Sequence, residues 1–308
     1  MTSAVVFAYH DVGVRCLAVL LAHGVEVRHV YTHADDPNEN IWFGSVAEQA
    51  RLHGIPVTVV SNAQQPGLLE AVATLQPDFL FSFYYRFMLT PAILACARQG
   101  AFNLHGSLLP KYRGRVPVNW AIIHGERETG ATLHEMVAKP DAGRLVDQQA
   151  IPILPNDTAL DVFRKVTVAA ETVLDRSLAQ LIAGTATLTP QDLTAGSYFG
   201  GRKPEDGRIN WAWGAAQVHN LIRAVAPPYP GAFCEIDGKR LELLGSLFTG
   251  RRDPQSGSAM LFAANDSLHI RCADGGLLRL QAASLNGQPL TPQTMQPLLG
   301  ASKILLNA

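Results

Sequence analysis

The sequence predicts an α/β protein: a Rossmann-like domain built on a mostly parallel sheet, followed by a small OB-like β-barrel domain. Three observations carry that prediction. Short apolar runs alternate with helical stretches through residues 1–188, the rhythm that parallel strands joined by crossover helices require. Residues 189–204 are rich in Pro, Gly, Ser and Thr and read as a linker. Residues 205–308 then carry about five short apolar runs between turn signals, the count of a small barrel. At 308 residues the chain is long enough for two domains, and 47% hydrophobic residues supply an ordinary core.

In chain order, residues 4–8 read as a strand, 14–22 as a helix stopped by Gly24, and 25–31 as a second strand. A polar loop follows over 32–40. Residues 45–53 are helical up to Gly54, 57–60 strand-like, 68–75 helical before Pro77, and 79–83 a strongly apolar strand. The first strand–helix turn holds His10, Asp11 and Gly13 rather than G-x-G-x-x-G. The backbone approach that a dinucleotide pyrophosphate needs is therefore missing, which argues against an NAD oxidoreductase. Tyr84, Tyr85, Arg86, Phe87, Met88 and Leu89 follow the strand at 79–83. That rim reads equally as helix-facing core or as a surface for a flat heterocycle at a strand's carboxyl end.

Residues 91–97 form a helix, and Gly100 leads into an extended segment. There Asn103 and His105 share one side while Leu104 turns to the core. An amide beside an imidazole suits acyl transfer, since one donates to an oxyanion and the other moves a proton near neutral pH. The competing reading is a capped strand end with a satisfied histidine. Next come a helix at 118–124 ending in His124 and Gly125, a strand at 131–137 and a second at 145–153. His134, on the first of these strands, reads as a structural histidine. Asp141 sits in the sharp turn 139–143, where turn chemistry alone also favours Asp. Residues 159–181 form the longest helix, capped by 155–158 and stopped near Gly184. Beyond the linker come a turn and short strand at 206–211, a helix at 215–224, and a rigid turn at 227–231. Strands at 232–236, 241–246, 259–263, 268–272 and 277–283 follow, with a closing helix at 296–305.

Composition narrows the function. Net charge is −1, so no global basic field draws nucleic acid. Cys16, Cys96, Cys234 and Cys272 stand singly, without zinc spacing, and no metal site is expected. The N-terminus lacks a signal-peptide pattern, and no apolar run reaches membrane length. A soluble cytoplasmic protein with no membrane partner is expected.

Taken together, these segments resemble the folate-dependent formyltransferases. Phe102-Asn103-Leu104-His105-Gly106-Ser107-Leu108-Leu109-Pro110-Lys111-Tyr112-Arg113-Gly114 looks like that family's F/I-N-x-H-x-S-L-L-P-x-x-R/K-G signature. Asp141-Ala142-Gly143 looks like its D-x-G turn. Asp206-Gly207-Arg208-Ile209-Asn210-Trp211, His219-Asn220-Leu221-Ile222-Arg223-Ala224 and Tyr229-Pro230-Gly231-Ala232-Phe233 look like carboxyl-domain blocks shared with methionyl-tRNA formyltransferase. The subgroup acting on UDP-4-amino-4-deoxy-L-arabinose, which serves lipid A modification and polymyxin resistance, is the closer likeness. It is matched by Val6-Phe7-Ala8-Tyr9-His10-Asp11, Phe81-Ser82-Phe83-Tyr84-Tyr85-Arg86, Lys111-Tyr112-Arg113-Gly114-Arg115 and Pro117-Val118-Asn119-Trp120.

The resemblance implies N10-formyltetrahydrofolate as formyl donor and a nucleotide-linked amino sugar as acceptor. Asn103, His105 and Asp141 fill the catalytic positions. Phe87, Met88 and Leu89 match the backbone segment that meets the pterin, and Arg115 with Val137, Ala138, Lys139, Pro140 and Asp141 match further folate contacts. Ser107 lacks a nucleophile elbow and is expected to shape its turn by hydrogen bonding. Tyr84, Asn119, Trp120, Arg202 and Tyr229 are candidate acceptor contacts; Arg202 suits a pyrophosphate or is a solvated linker charge. Rival acceptors are other dTDP- or GDP-linked amino sugars and methionyl-tRNA. The acidic loop 34–40 and the net charge speak against the tRNA, while Lys239-Arg240 and Arg251-Arg252 are local basic clusters. A non-enzymatic alternative is an OB-fold nucleic-acid-binding protein.

Overall fold

The computed structural model describes residues 1–37, 40–61, 65–254 and 257–306; residues 38 and 39 of the acidic loop 34–40 lie outside the described residues. The chain divides into two units that interleave in sequence. One comprises Met1–Pro117, Thr129–Ile151 and Arg164–Gly200, the other Val118–Glu128, Pro152–Phe163 and Gly201–Ala308. The division therefore differs from consecutive domains at 1–188 and 205–308, because the segments 118–128 and 152–163 make their contacts with the later residues.

Through residue 200 the elements are β1 (Ser3–Ala8), α1 (His10–Ala22), β2 (Glu26–Thr32), α2 (Val46–Leu52), β3 (Val57–Val59), α3 (Leu68–Leu75), β4 (Phe79–Phe83), α4 (Pro91–Leu94) and β5 (Gly100–His105). Then come β6 (Arg113–Gly114), α5 (Pro117–Ile123), β7 (Glu128–Glu135), β8 (Leu145–Pro152), α6 (Ala159–Ile182) and β9 (Tyr198–Phe199). Helices α5 and α6 run across the division between units. The main sheet has the order β3-β2-β1-β4-β5-β7-β8. Its middle strands are covered on both faces, which is why they read as continuous apolar runs: every residue of β1 and β4 is buried. Pairing is parallel from β3 through β5 and becomes antiparallel between β5 and β7. The carboxyl end of β5 thus faces a parallel neighbour on one side and an antiparallel one on the other.

The predicted linker is not a free tether. Thr189 bridges to Leu145, and β9 pairs in parallel with β6. The composition that reads as a linker is that of an irregular strap, held by its backbone.

The second unit holds α7 (Ala215–Ala224), β10 (Ala232–Ile236), β11 (Lys239–Arg252), β12 (Met260–Ala264), β13 (Ser267–Arg271), β14 (Gly276–Leu285), β15 (Gln288–Pro289), α8 (Pro292–Leu299) and β16 (Lys303–Leu305). The strands form an antiparallel half-barrel, order β10-β11-β14-β13-β12-β16. Register shifts in β11 beside Gly245 bend this long strand. Val218, Leu221 and Ile222 of α7 join Leu241, Leu243, Ile270 and Leu278 in its core.

Two elements differ from expectation. Residues 206–211 form no strand: Pro204–Gly207 is a 3-10 turn, and only Arg208 bridges to Phe233. The closing helix is α8, ending before Gly300, and β16 then pairs with β12. A left-handed Gly300 stops the helix. Among the described residues, no helix is long and apolar enough to cross a membrane, and no group of three or more His, Cys, Asp or Glu side chains is placed to hold a metal.

Candidate active site

Strand alternation places Leu104 in the core and Asn103 and His105 on the opposite side. The antiparallel register sets His134 of β7 directly across from Asn103, and Thr132 across from His105. Asn103 Nδ2 lies 3.0 Å from His134 Nε2, and His134 Nδ1 lies 2.9 Å from the Glu135 carbonyl. A carbonyl only accepts, so Nδ1 carries the proton in the neutral ring and Nε2 accepts from the Asn103 amide. His134 is thus more than a strand histidine, because it orients the carboxamide.

His105 is 7% exposed. Its Nε2 donates to the Tyr112 carbonyl at 2.8 Å, which leaves Nδ1 as the base nitrogen of the neutral ring. Asp141 Oδ1 stands 3.6 Å from that nitrogen and 3.5 Å from His134 Nε2. The other carboxylate oxygen accepts from Gly114 N–H at 2.8 Å. Burial opposes charge on Asp141, yet positive charge on the His105 and His134 rings, when they carry a proton, and the Gly114 N–H together hold its carboxyl well below the usual carboxylate range. Asp141 is therefore an anion between two imidazoles, in a left-handed turn with φ 50°.

The loop after β5 is fastened from several sides. Ser107 Oγ donates to the Lys111 carbonyl at 2.7 Å. Thr132 Oγ1 donates to the Ser107 carbonyl at 2.6 Å and accepts from Leu109 N–H. Gln148 Nε2 donates to the Leu109 carbonyl. At Gly106 a Cβ would meet the Tyr84 hydroxyl at 2.0 Å, so the Tyr84 side chain packs close against this loop.

The rim after β4 divides. Leu89 is buried, with Tyr85 and Phe87 packed against the same core, whereas Met88 is 54% exposed. Val137 is 37% exposed, and Ala138, Lys139 and Arg115 are exposed as well. Near the first strand–helix turn lies an aromatic cluster that the sequence pattern does not mark. His10 stacks on Phe43 at 3.8 Å and meets Trp42 edge-on. Burial and then the charge of Arg86 push its pKa down to about 3, so it is a neutral ring.

The remaining acceptor candidates belong to the second unit. Arg202 sits 4.9 Å over the Trp120 ring and donates to the Asp206 carbonyl. Asn119 is 4% exposed and donates to the Ala224 carbonyl at 2.7 Å. Burial pushes the Tyr229 phenol up to about 12, against a hydrogen bond with Asn119.

Across the site, an amide donor, a base nitrogen and an anion converge without a nucleophile of their own. That set suits direct transfer of an acyl group between two bound molecules.

The chain matches the formyl transferase family over residues 21–178 and the formyl transferase C-terminal domain over residues 202–296. Among solved structures, an N-formyltransferase from Helicobacter canadensis, in complex with folinic acid and dTDP-3-aminofucose, aligns with a TM-score of 0.70. The identity is 23%, over 91% of this chain and 99% of that one. WlaRD, a sugar 3N-formyltransferase solved with dTDP and 5-N-formyl-THF, gives 0.69 at 20% identity, over 94% and 98%. HypX from Aquifex aeolicus, in complex with tetrahydrofolic acid, gives 0.64 at 18% identity, over 96% of this chain and 48% of that one. At these identities the likeness is one of fold.

Proposed function

The chain belongs to the formyl transferase family and is a formyl-transferring enzyme; on that premise we propose that it moves the formyl group of N10-formyltetrahydrofolate onto the 4-amine of a nucleotide-linked amino sugar, UDP-4-amino-4-deoxy-L-arabinose. One observation carries the chemistry: Asn103, His105 and Asp141 meet in one cluster with every orienting bond in place. The acceptor rests on the subgroup likeness of residues 6–11, 81–86, 111–115 and 117–120. A nucleotide-sugar acceptor is further supported by the ligands of the Helicobacter protein and WlaRD.

The unprotonated amine attacks the formyl carbon, and its new C–N bond turns the carbonyl oxygen into an oxyanion. The Asn103 amide has two N–H groups; one is engaged by His134, and the second donates to the oxyanion, a contact worth roughly 3 kcal/mol of barrier. His105 Nδ1 takes the amine proton and passes it to the departing folate nitrogen as the old C–N bond breaks. Asp141 stays ionised and stabilises the imidazolium in between. Met88 and Val137 offer exposed apolar surface to the donor's flat ring, with the 87–89 backbone and the 137–141 turn beside them in sequence, and exposed Arg115 suits its carboxylates. Tyr84, packed against Gly106, is the candidate acceptor contact of the first unit. In the second unit, the stacked Trp120–Arg202 pair suits a base or pyrophosphate, and Asn119 and Tyr229 remain candidate contacts there.

The test is a panel: 10-formyltetrahydrofolate with UDP-4-amino-4-deoxy-L-arabinose, dTDP- and GDP-linked amino sugars, or methionyl-tRNA, following tetrahydrofolate release. Release with the UDP sugar at the highest kcat/KM is expected. Release only with a dTDP or GDP sugar moves the acceptor and keeps the chemistry, whereas release only with the tRNA overturns the nucleotide-sugar reading.

A further inference from the structure

The strap between α6 and β9 touches both sides of the cluster. Ser197 Oγ accepts from Tyr112 N–H at 2.8 Å. The Ser197 and Phe199 carbonyls accept from Arg113 and Arg115 N–H at 3.0 and 2.9 Å. Tyr112 and Phe199 stack at 5.4 Å. At Gly196 the approach is so close that a Cβ would lie 2.2 Å from the Pro110 carbonyl oxygen. These contacts fix the loop that supplies the Tyr112 carbonyl to His105 and the Gly114 N–H to Asp141.

On the other side is Gln191. Its Nε2 donates to the Asp141 carbonyl at 3.1 Å and to the Gly143 carbonyl at 2.5 Å. Both partners are carbonyl oxygens, so the amide orientation is chemically determined, and both donors are engaged. The turn they bridge is demanding. Asp141 has positive φ, a conformation that Asp tolerates better than most residues but that still favours support from its surroundings. Gly143 lies against β7, where a Cβ would stand 1.9 Å from the Glu135 carbonyl oxygen. The bond from Gln191 fastens the turn from the side opposite His105.

We infer that Gln191 is a positioning residue for Asp141: its two donors hold the 141–143 turn in the left-handed form that keeps the carboxylate against His105 and His134. The inference rests on the reading of Asp141 as partner of the catalytic imidazole. Gln191 touches neither imidazole in the cluster, so its loss displaces Asp141 without removing a reacting group.

Two variants and one control test it. Gln191→Met keeps length and volume but removes both donors. It is expected to lower kcat about tenfold, since small misplacements of catalytic groups are costly, with KM for donor and acceptor within about twofold and the protein folded. Gln191→Glu sets an ionised carboxylate against two carbonyls in place of two donors, and it should lose at least as much kcat as Gln191→Met, again with KM within about twofold. Near-normal kcat in Gln191→Met, or a loss that only follows the fraction of folded protein, overturns the inference. If Gln191→Met does not fold, Gln191→Glu decides alone, and near-normal kcat in the folded variant overturns it. Asp141→Asn run in parallel separates the two claims. Full turnover there removes the catalytic reading and the inference with it. A large loss there, beside normal Gln191 variants, removes the inference only.

Discussion

Each unit contains a buried histidine fastened in the same way, and the two differ in one respect. His105 donates from Nε2 to the Tyr112 carbonyl at 2.8 Å. His219 donates from Nε2 to the Pro155 carbonyl at 2.9 Å. The anchor fixes the same neutral tautomer in both, with Nδ1 left as base. Facing Nδ1 of His105 is the anion of Asp141, beyond hydrogen-bond length at 3.6 Å. Facing Nδ1 of His219 is the Ser246 hydroxyl at 2.8 Å, with Arg223 close enough to add to the penalty on a proton. One ring has a nitrogen that faces a carboxylate without a hydrogen bond to it. The other has both nitrogens satisfied, and burial, against the pull of the Pro155 carbonyl, lowers its pKa to about 4. On the role proposed for His105, a catalytic histidine is told apart from a structural one by the partner of the second nitrogen rather than by burial.

The largest effect on rate expected from this difference is at His105: His105→Ala should lower kcat roughly 10³-fold, read per folded enzyme at a temperature where the variant is folded. Asn103→Ala should follow with a loss of roughly 10²-fold, read from the same assay. At His219 the effect should move from rate to stability. His219→Ala leaves a cavity and strands the Ser246 hydroxyl and the Pro155 carbonyl, so unfolding by denaturant should show a loss of about 2–3 kcal/mol. Ser246→Ala, removing one neutral hydrogen bond, should cost about 1 kcal/mol by the same measurement. A drop in kcat without loss of stability in His219→Ala would break the comparison.

Acid sharpens the same contrast. Unfolded His219 takes its proton near 6.5 and the folded residue only near 4. Between those values the unfolded chain binds more protons, so this contribution to stability is complete above about pH 6.5 and declines as pH falls towards about 4. Thermal midpoints measured across that window should fall less steeply in His219→Gln than in the unmodified protein.

How much of this was legible in the sequence follows from the kind of interaction. The continuous apolar runs of β1 and β4 announced buried parallel strands, because both faces are covered. Asn103 and His105 were visible as residues two apart on a strand, and Asp141 entered through its likeness to a D-x-G turn. His134 was read as structural because its role comes from an antiparallel register across β5 and β7, which one strand's pattern does not encode. The 189–199 strap was read as linker because its work is done by the Ser197 and Phe199 carbonyls, and backbone atoms leave no mark on side-chain pattern. Residues 303–305 were read as helix because local propensity carries no record of β12, the strand that recruits them.

The most direct test of the account sets the two histidines side by side. His105→Gln and His219→Gln each retain an amide donor of comparable reach, so both can keep the carbonyl anchor while losing the titrating ring. Formyl transfer should be followed at a temperature where both variants are folded. The account predicts a loss of at least roughly 10²-fold for His105→Gln and turnover within about twofold of the unmodified enzyme for His219→Gln, which lacks a partner that would call on its proton. Comparable turnover in the two variants would contradict it.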